Sequence, residues 1–446
     1  MKKVTKPVTN TLLLLVLMAM VMSCGKKKVA EQAKNDEQEL PNIVFILSDD
    51  QAWNDYGFMG HQSIETPNID KMAGEALTFT RGYVPTSLCS PSLATIITGK
   101  YPRHHNILGN DWVYDRTKDK AQRAQNRAEA YAHVIERFRE EATLPKMLKE
   151  KGYISFQSGK WWHGSHKDGG FDYGMTHGDP TRGGRHGDYG LEIGRKGMDT
   201  LNTFIDYAVD EGKPFFLWYA PFLPHQPHNP PDSLFQKYKD QAPTELVAKY
   251  WAMCEWFDIT IGQLNDKIEA KGLMENTLFV YVCDNGWVQN ENRPTYEHFS
   301  KRSPFDYGMR TPIFYKWKGK IEPRMDTETL TSSIDMVPTV LDLVGLDRPA
   351  DLPGVNVLSE QALNSREAIF GEIYAHDFTT VDSSLFYQIV YTNPYKLIVP
   401  DETRKPEESI QLYQIYEDPM EQNDLAVAKP EVVDDLMQRL AKHWEK

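Results

Sequence analysis

An acidic pair, a cysteine and an acid–amide pair stand far apart in this chain, and each sits where side chains do chemistry. Asp49-Asp50 closes the apolar run at 42–47, and Asp284-Asn285-Gly286 closes a second run at 278–283. Asp49, Asp50, Asp284 and Asn285 form an all-oxygen donor set, which favours a hard divalent cation, Ca²⁺ first, with Mg²⁺ or Mn²⁺ behind it. Cys89-Ser90-Pro91-Ser92 runs into apolar residues at helical spacing. That pattern predicts a cysteine on the first turn of a buried helix, where unpaired N–H groups and partial positive charge suit a residue facing an anion. Lys160 and His225 also fall just after predicted strands, as do the two acidic pairs. In open α/β sheets ligands gather beyond the carboxyl ends of the strands, so these residues are expected to converge.

The elements that must position them alternate. The continuous apolar run at 42–47 is the mark of a strand covered on both faces in a parallel sheet. Further strands are predicted at 76–80, 153–158, 214–219 and 278–283, with helices at 66–73, 144–152 and 245–270. The alternation predicts an α/β fold, a doubly wound and mostly parallel sheet with helices on both faces. Residues 115–141 are dense in charge and predict a solvated helix inserted after the cysteine segment. After 346 the composition changes. Short strands at 368–373, 386–391 and 395–399 and a helix at 430–445 predict a small antiparallel-sheet subdomain. The expected domains are therefore 41–346 and 347–446.

With 446 residues the chain can bury a large core. A formal net charge of −13 argues against non-specific nucleic-acid binding. An anionic substrate must then meet a local positive pocket. At the N-terminus Lys2, Lys3 and Lys6 precede an apolar run at 12–22, in the order of a signal peptide, and the run is short for a membrane span. Val21-Met22-Ser23-Cys24 resembles a bacterial lipobox. It implies a signal segment at 1–24, lipidation at Cys24 and a polar tether at 25–40. The expected protein is exported, periplasmic or on the cell surface, and meets the membrane only through its lipid anchor. Of the other cysteines, Cys254 and Cys283 fall in apolar surroundings on a helix and a strand. Buried free thiols are expected there, with a disulfide between them as the alternative.

The cysteine segment, Asp49-Asp50 and Asp284-Asn285-Gly286 together resemble the formylglycine-dependent sulfatase family of the alkaline-phosphatase superfamily. Gly159-Lys160-Trp161-Trp162-His163-Gly164 resembles the family's Gly-Lys-Trp-His-Leu-Gly element, and Pro224-His225-Gln226-Pro227 its Pro-His-x-Pro. Lys301, ahead of Gly308-Met309-Arg310-Thr311-Pro312, and the blocks Asp335-Met336-Val337-Pro338-Thr339 and Tyr413 onward also match. The likeness spans roughly 41–426. It implies that a maturation enzyme converts Cys89 to formylglycine, whose hydrate is the nucleophile toward a sulfate ester. It implies that Lys160, His225 and Lys301 hold the sulfate charge, and that His225 or Lys301 protonates the departing alkoxide.

Two departures touch one side of that site. The family has Arg four residues after the cysteine, where this chain has Leu93. An extra Trp displaces His163, which the resemblance assigns to holding the modified cysteine. Arg103, His104 or His105 is expected to compensate. His105 and Trp287 are candidate substrate contacts, although core packing is the default for Trp287 and equally for Trp112, Trp161 and Trp162. The Gly/His/Arg-rich loop at 177–194 suits an anionic polymer. The expected activity is hydrolysis of sulfate esters on sulfated carbohydrates. A phosphodiesterase or phosphonate-ester hydrolase, and a glycan-binding protein without catalysis, stay open as alternatives.

Overall fold

Strand β1 (Asn42–Ser48) is buried along its whole length, as a central strand covered on both faces must be. The protein is described from a computed structural model, which covers Met1 and residues 40–111, 118–182, 184, 186–375 and 380–445. The signal segment, Cys24, most of the tether and Trp112 lie outside the described residues. Around β1 are β2 (Leu77–Tyr83), β3 (Ile154–Gly159), β4 (Tyr173–Gly174), β5 (Phe215–Ala220), β6 (Thr277–Cys283), β7 (Arg310–Lys316), β8 (Arg324–Asp326) and β9 (Thr331–Ser332). They form one sheet in the order β4-β3-β5-β1-β6-β7-β2-β8, with β9 also paired to β2.

The strands β3, β5, β1 and β6 are mutually parallel, with Ile43 level with Phe216 on one side and Leu278 on the other. Strand β7 runs against both β6 and β2. Two reversals restore direction, so β2 again ends at the same edge as β1. The expectation of a mostly parallel α/β sheet holds, with this one antiparallel strand inside it. Alternate residues Val44, Ile46, Leu217, Tyr219, Phe279 and Tyr281 pack into a core with the helices Asp199–Asp210 and Glu245–Ala270. The second helix buries Phe257, Ile261, Leu264 and Ile268, a stripe at helical spacing. On the opposite face Phe45 meets Phe216 edge-on at 5.2 Å, and Trp161 meets Trp218 at 5.7 Å.

The small sheet, β10 (Ile369–Tyr374), β11 (Leu385–Tyr391), β12 (Tyr395–Pro400) and β13 (Gln411–Gln414), is antiparallel throughout. Its strands alternate two buried faces. Ile389 and Tyr391 pack with Tyr83 and Met309 of the larger region, while Val390, Leu397 and Leu412 pack under Leu436 and Leu440 of the helix Pro430–Trp444. Position 346 falls just after the helix Met336–Leu343, and both flanking regions lie within the compact unit Pro41–Lys446. Among the described residues no helix is long and apolar enough to cross a membrane. Cys89, Cys254 and Cys283 are buried free thiols, so the disulfide alternative does not occur.

Candidate active site

Four parallel strands deliver four loops to one edge. Asp49 and Asp50 follow β1, Lys160 follows β3, the 221–225 segment follows β5, and Asp284 and Asn285 follow β6. Backbone choices bring them close. Asp50 sits in the left-handed region at φ 63°, which short acidic residues tolerate better than most, and its N–H donates to Asp284 Oδ1 at 3.1 Å. Gly159 has φ 84°, and a Cβ there would lie 1.8 Å from the Ala220 carbonyl oxygen. Only glycine lets the chain turn so that Lys160 enters the site.

Strand β2 ends at the same edge and leads into the helix Cys89–Thr98, every residue of which is buried. The first turn is capped from outside: Ser90 N–H donates to Asn110 Oδ1 at 2.9 Å. Lys301 arrives from the connection between β6 and β7. It is tied to the cysteine segment by Arg302 N–H donating to the Ser87 carbonyl at 2.9 Å and Ser87 Oγ donating to the Ser303 carbonyl at 2.7 Å.

The charges interlock. Lys301 Nζ donates to both Asp50 oxygens at 2.6 and 2.7 Å and reaches Cys89 Sγ at 3.0 Å. Lys160 Nζ donates to Asp49 and, at 3.1 Å, to Asp284 Oδ2. Asn285 Nδ2 donates to Asp50 Oδ1 at 2.7 Å, and His225 Nε2 lies 3.4 Å from Asp50 Oδ2. Burial pulls the Asp50 carboxyl upward, but Lys301, His225 and Lys160 overcome it and hold the group well below the usual range. Burial likewise opposes the charge on Lys160, and Asp284 and Asp49 more than restore it. Burial pushes the Cys89 thiol up to about 11 despite both lysines, so the unmodified sulfur is a thiol at neutral pH.

Ligand atoms of Asp49, Asp50, Cys89 and His225 lie within 4.8 Å of one another, an arrangement that could hold a metal ion. Asp49 Oδ2 and Asn285 Oδ1 are buried without a hydrogen-bond partner, each aimed from a donor residue of the predicted oxygen set. Buried oxygens seldom stay unsatisfied, so the residues fit a hard cation.

The remaining predicted residues lie elsewhere. His163 makes no hydrogen bond to Cys89. It is fully buried, its ring lies 4.2 Å from that of Phe138, and neither ring nitrogen has a hydrogen-bond partner. Burial lowers its pKa to about 3, so the ring is neutral. Phe138 belongs to the helix Lys120–Glu140, which was expected to be merely solvated; it buries Val134 and Phe138, and Tyr131 Oη donates to the Trp162 carbonyl at 2.9 Å. Leu93 is 1% exposed and belongs to the core.

His105 braces the cysteine helix from behind, its Nε2 3.1 Å from Thr95 Oγ1 and its Nδ1 accepting from Ile107 N–H. Arg103 turns away to Glu372, at 2.9 Å, and the His443 carbonyl. Trp287 is 4% exposed in a cluster with Tyr250 and Cys254, and Lys301 Nζ lies 5.6 Å from its ring centre. One residue escaped the sequence reading. His228 lies between Tyr250 and Trp287 at 5.4 and 5.9 Å, with Nε2 buried and unpartnered. The spacing His225-Gln226-Pro227-His228 was the signal.

A family model described as Sulfatase matches residues 41–346. This chain belongs to the sulfatase family. Membership places it among the sulfuric ester hydrolases, and a second model, N-sulphoglucosamine sulphohydrolase, C-terminal, matches 295–446. The ulvan-active sulfatase of Formosa agariphila is 27% identical over 463 residues, covering 94% of this chain and 83% of that protein. Human N-acetylgalactosamine-6-sulfatase is 27% identical over 358 residues, or 71% of this chain. The chain spans 65% of that relative, just under two thirds of its length. Among solved structures, Ps i-CgsB in complex with k-i-k-neocarrahexaose shares the fold at a TM-score of 0.70 and 22% identity, over 91% of this chain and 92% of the other.

Proposed function

We propose that this sulfatase hydrolyses sulfate esters on sulfated carbohydrates, with Cys89 matured to formylglycine as the nucleophilic residue. The observation that carries the reading is Lys301 Nζ, which spans Asp50 at 2.6 Å and Cys89 Sγ at 3.0 Å and so sets a fixed cation between the nucleophile position and the acid cluster. Hydration of the aldehyde would supply a hydroxyl to attack sulfur and a second one whose deprotonation lets sulfate leave. Asp49, Asp50, Asp284 and Asn285 would hold the divalent cation, Ca²⁺ first. When bound, it would neutralise sulfate oxygens and favour the ionised nucleophile.

The chain's own side chains do the rest. Lys160 and Lys301 hold sulfate charge in a site from which water is excluded by burial. His225 is oriented by Nδ1–H donating to the Gln226 carbonyl at 2.5 Å, so Nε2 is the nitrogen that exchanges a proton. That atom lies 3.4 Å from Asp50 Oδ2, and burial holds the ring neutral, so Nε2 first takes the proton that the attacking hydroxyl gives up and then delivers it to the departing sugar oxygen as the S–O bond breaks. The carbohydrate assignment is supported by the relatives named for glycan substrates and by the Gly/His/Arg-rich loop at 177–194. We further propose export and lipidation at Cys24, as the N-terminal residues imply.

Leu93 favours one second reading, a glycan-binding protein whose cysteine escapes maturation. Mass spectrometry on the tryptic peptide 82–100, from protein made in a host with maturing machinery, separates the two. Aldehyde at Cys89 together with sulfate release from sulfated sugars supports catalysis. An intact thiol, in a host that modifies a control sulfatase, sinks the proposed mechanism.

A further inference from the structure

The loop that carries His225 has a structural problem of its own. Pro221, Pro224, Pro227, Pro230 and Pro231 remove backbone N–H groups from it, so the loop has few donors with which to satisfy its carbonyls. Arg195 supplies them from a different segment. Its Nε and Nη2 both donate to the Phe222 carbonyl, at 2.9 and 2.5 Å, and Nη2 also donates to the His225 carbonyl at 2.9 Å. Nη1 donates to Asn229 Oδ1 at 2.6 Å. One planar fork therefore grips the loop before, at and after the histidine.

The same guanidinium acts a second time through Phe222. The Phe222 ring stacks on the His225 imidazole at 4.1 Å and 30°, and the Arg195 guanidinium carbon lies 5.6 Å from the Phe222 ring centre and 5.7 Å from that of Trp256. Backbone and stacking partner of the imidazole are thus held by one side chain. A lysine cannot reproduce this, because a point ammonium lacks the rigid set of diverging N–H groups.

We propose that Arg195 is a positioning residue for His225: by clamping the Phe222 and His225 carbonyls it aims Nε2 at the leaving oxygen and so governs proton delivery. The inference rests on the sulfatase reading above. It carries a signature that a general loss of folding lacks. A good leaving group needs little protonation, whereas a poor one depends on it, so mispositioning the acid must hurt poor leaving groups most.

The test uses the matured full chain and its variants Arg195→Gln, Arg195→Lys and His225→Ala, with 4-nitrophenyl sulfate, phenyl sulfate and an alkyl sulfate as substrates. Arg195→Gln should lower kcat about threefold for the nitrophenyl ester and about 30-fold or more for the alkyl ester, with KM nearly unchanged. Arg195→Lys should resemble Arg195→Gln. An equal loss across the series, or rescue by lysine, overturns the proposal. A second readout is independent of turnover: diethyl pyrocarbonate labelling of His225, followed by mass spectrometry. Labelling about tenfold faster in Arg195→Gln supports the clamp, and an unchanged rate overturns it. If His225→Ala itself shows no dependence on leaving group, the acid role proposed for His225 fails, and the labelling rate still decides whether Arg195 holds that loop.

Discussion

Around the Cys89 sulfur stand Lys301, Asp50 and, one step further, Asn285, joined by hydrogen bonds of 2.6 to 3.0 Å, with His225 Nε2 3.4 Å from Asp50 Oδ2. Leu93 on the Cys89 helix, His105 and His163 form another buried group, where the rings are neutral and His163 contacts aromatic carbon instead of polar partners. Apart from the partly exposed His225 both regions are buried, but they are ordered by different forces. In the first, each charge is located by an opposite charge, so geometry is over-determined and a displaced atom loses several bonds at once. In the second, shape places Leu93 and His163, whose nitrogens act as ring volume, while Thr95 Oγ1 and Ile107 N–H hold His105. The contrast is that the Gln226 carbonyl fixes which His225 nitrogen faces Asp50, whereas no polar partner fixes the His163 ring.

That contrast can be broken most forcefully on the ionic side. Lys301→Met should lower kcat by about 10²- to 10³-fold by removing a preorganised cation. It should also destabilise the fold by about 3 kcal/mol, because Asp50 stays buried without its main partner. Denaturant unfolding and steady-state kinetics read both, and a loss under tenfold in turnover would remove Lys301 from the mechanism.

Acid should next separate the regions through the buried neutral histidines. Burial lowers His163 to about 3, and His104 and His228 to about 4. Unfolded histidines take up protons below about 6.5 while these folded ones do not, so the unfolded state gains stability as pH falls from about 6.5 toward 4. The fully buried His163 adds up to about 1.4 kcal/mol per pH unit to the decline, and the partly exposed His104 adds less because solvent screens it. Replacing His163 by Leu should make the measured stability–pH slope shallower by about one proton; an unaltered slope would show that His163 is not a buried neutral ring.

A divalent cation should stabilise only the ionic side. Ca²⁺ at about 100 times its Kd should contribute roughly 2.7 kcal/mol, seen as a rise in Tm of ~2–5 °C that EDTA reverses. Asp49→Ala should abolish the rise and His163→Leu should leave it intact. The smallest effect belongs to His163→Leu at neutral pH. Removing a ring with two unsatisfied nitrogens should change stability by about +1 kcal/mol and turnover by less than about threefold. A hundredfold loss would instead place His163 in contact with the reacting groups.

Much of this was legible in the residues alone. The helix 245–270 and the strands of the large sheet declare themselves by period and by continuous apolar runs, because burial on two faces leaves no room for polar residues. The convergence of Asp49, Lys160 and Asp284 follows from the parallel order of the strands that precede them. Three things were not legible. Charge density at 115–141 predicts a solvated helix, yet Phe138 from it caps His163; Tyr131, Val134, Ile135 and Phe138 make a short stripe at helical spacing that the surrounding charges outweighed. The reach of Arg195 across to Phe222 depends on a loop path that no local pattern records. Arg103, which was expected to serve the cysteine, is captured by Glu372 from the small sheet.

What the sequence by itself determined is the set of strands and the chemistry carried at their ends. Those features depend on side-chain type and short-range spacing, which each segment states without help from the others. Which of the adjacent histidines and arginines approach the Cys89 cluster was decided only by tertiary structure. An extra tryptophan shifts a ring by one position, and a sheet edge turns such a shift into a different neighbour. The outcome then depends on what distant segments place there, because long-range contacts satisfy buried polar groups in one place and leave them as plain volume in another.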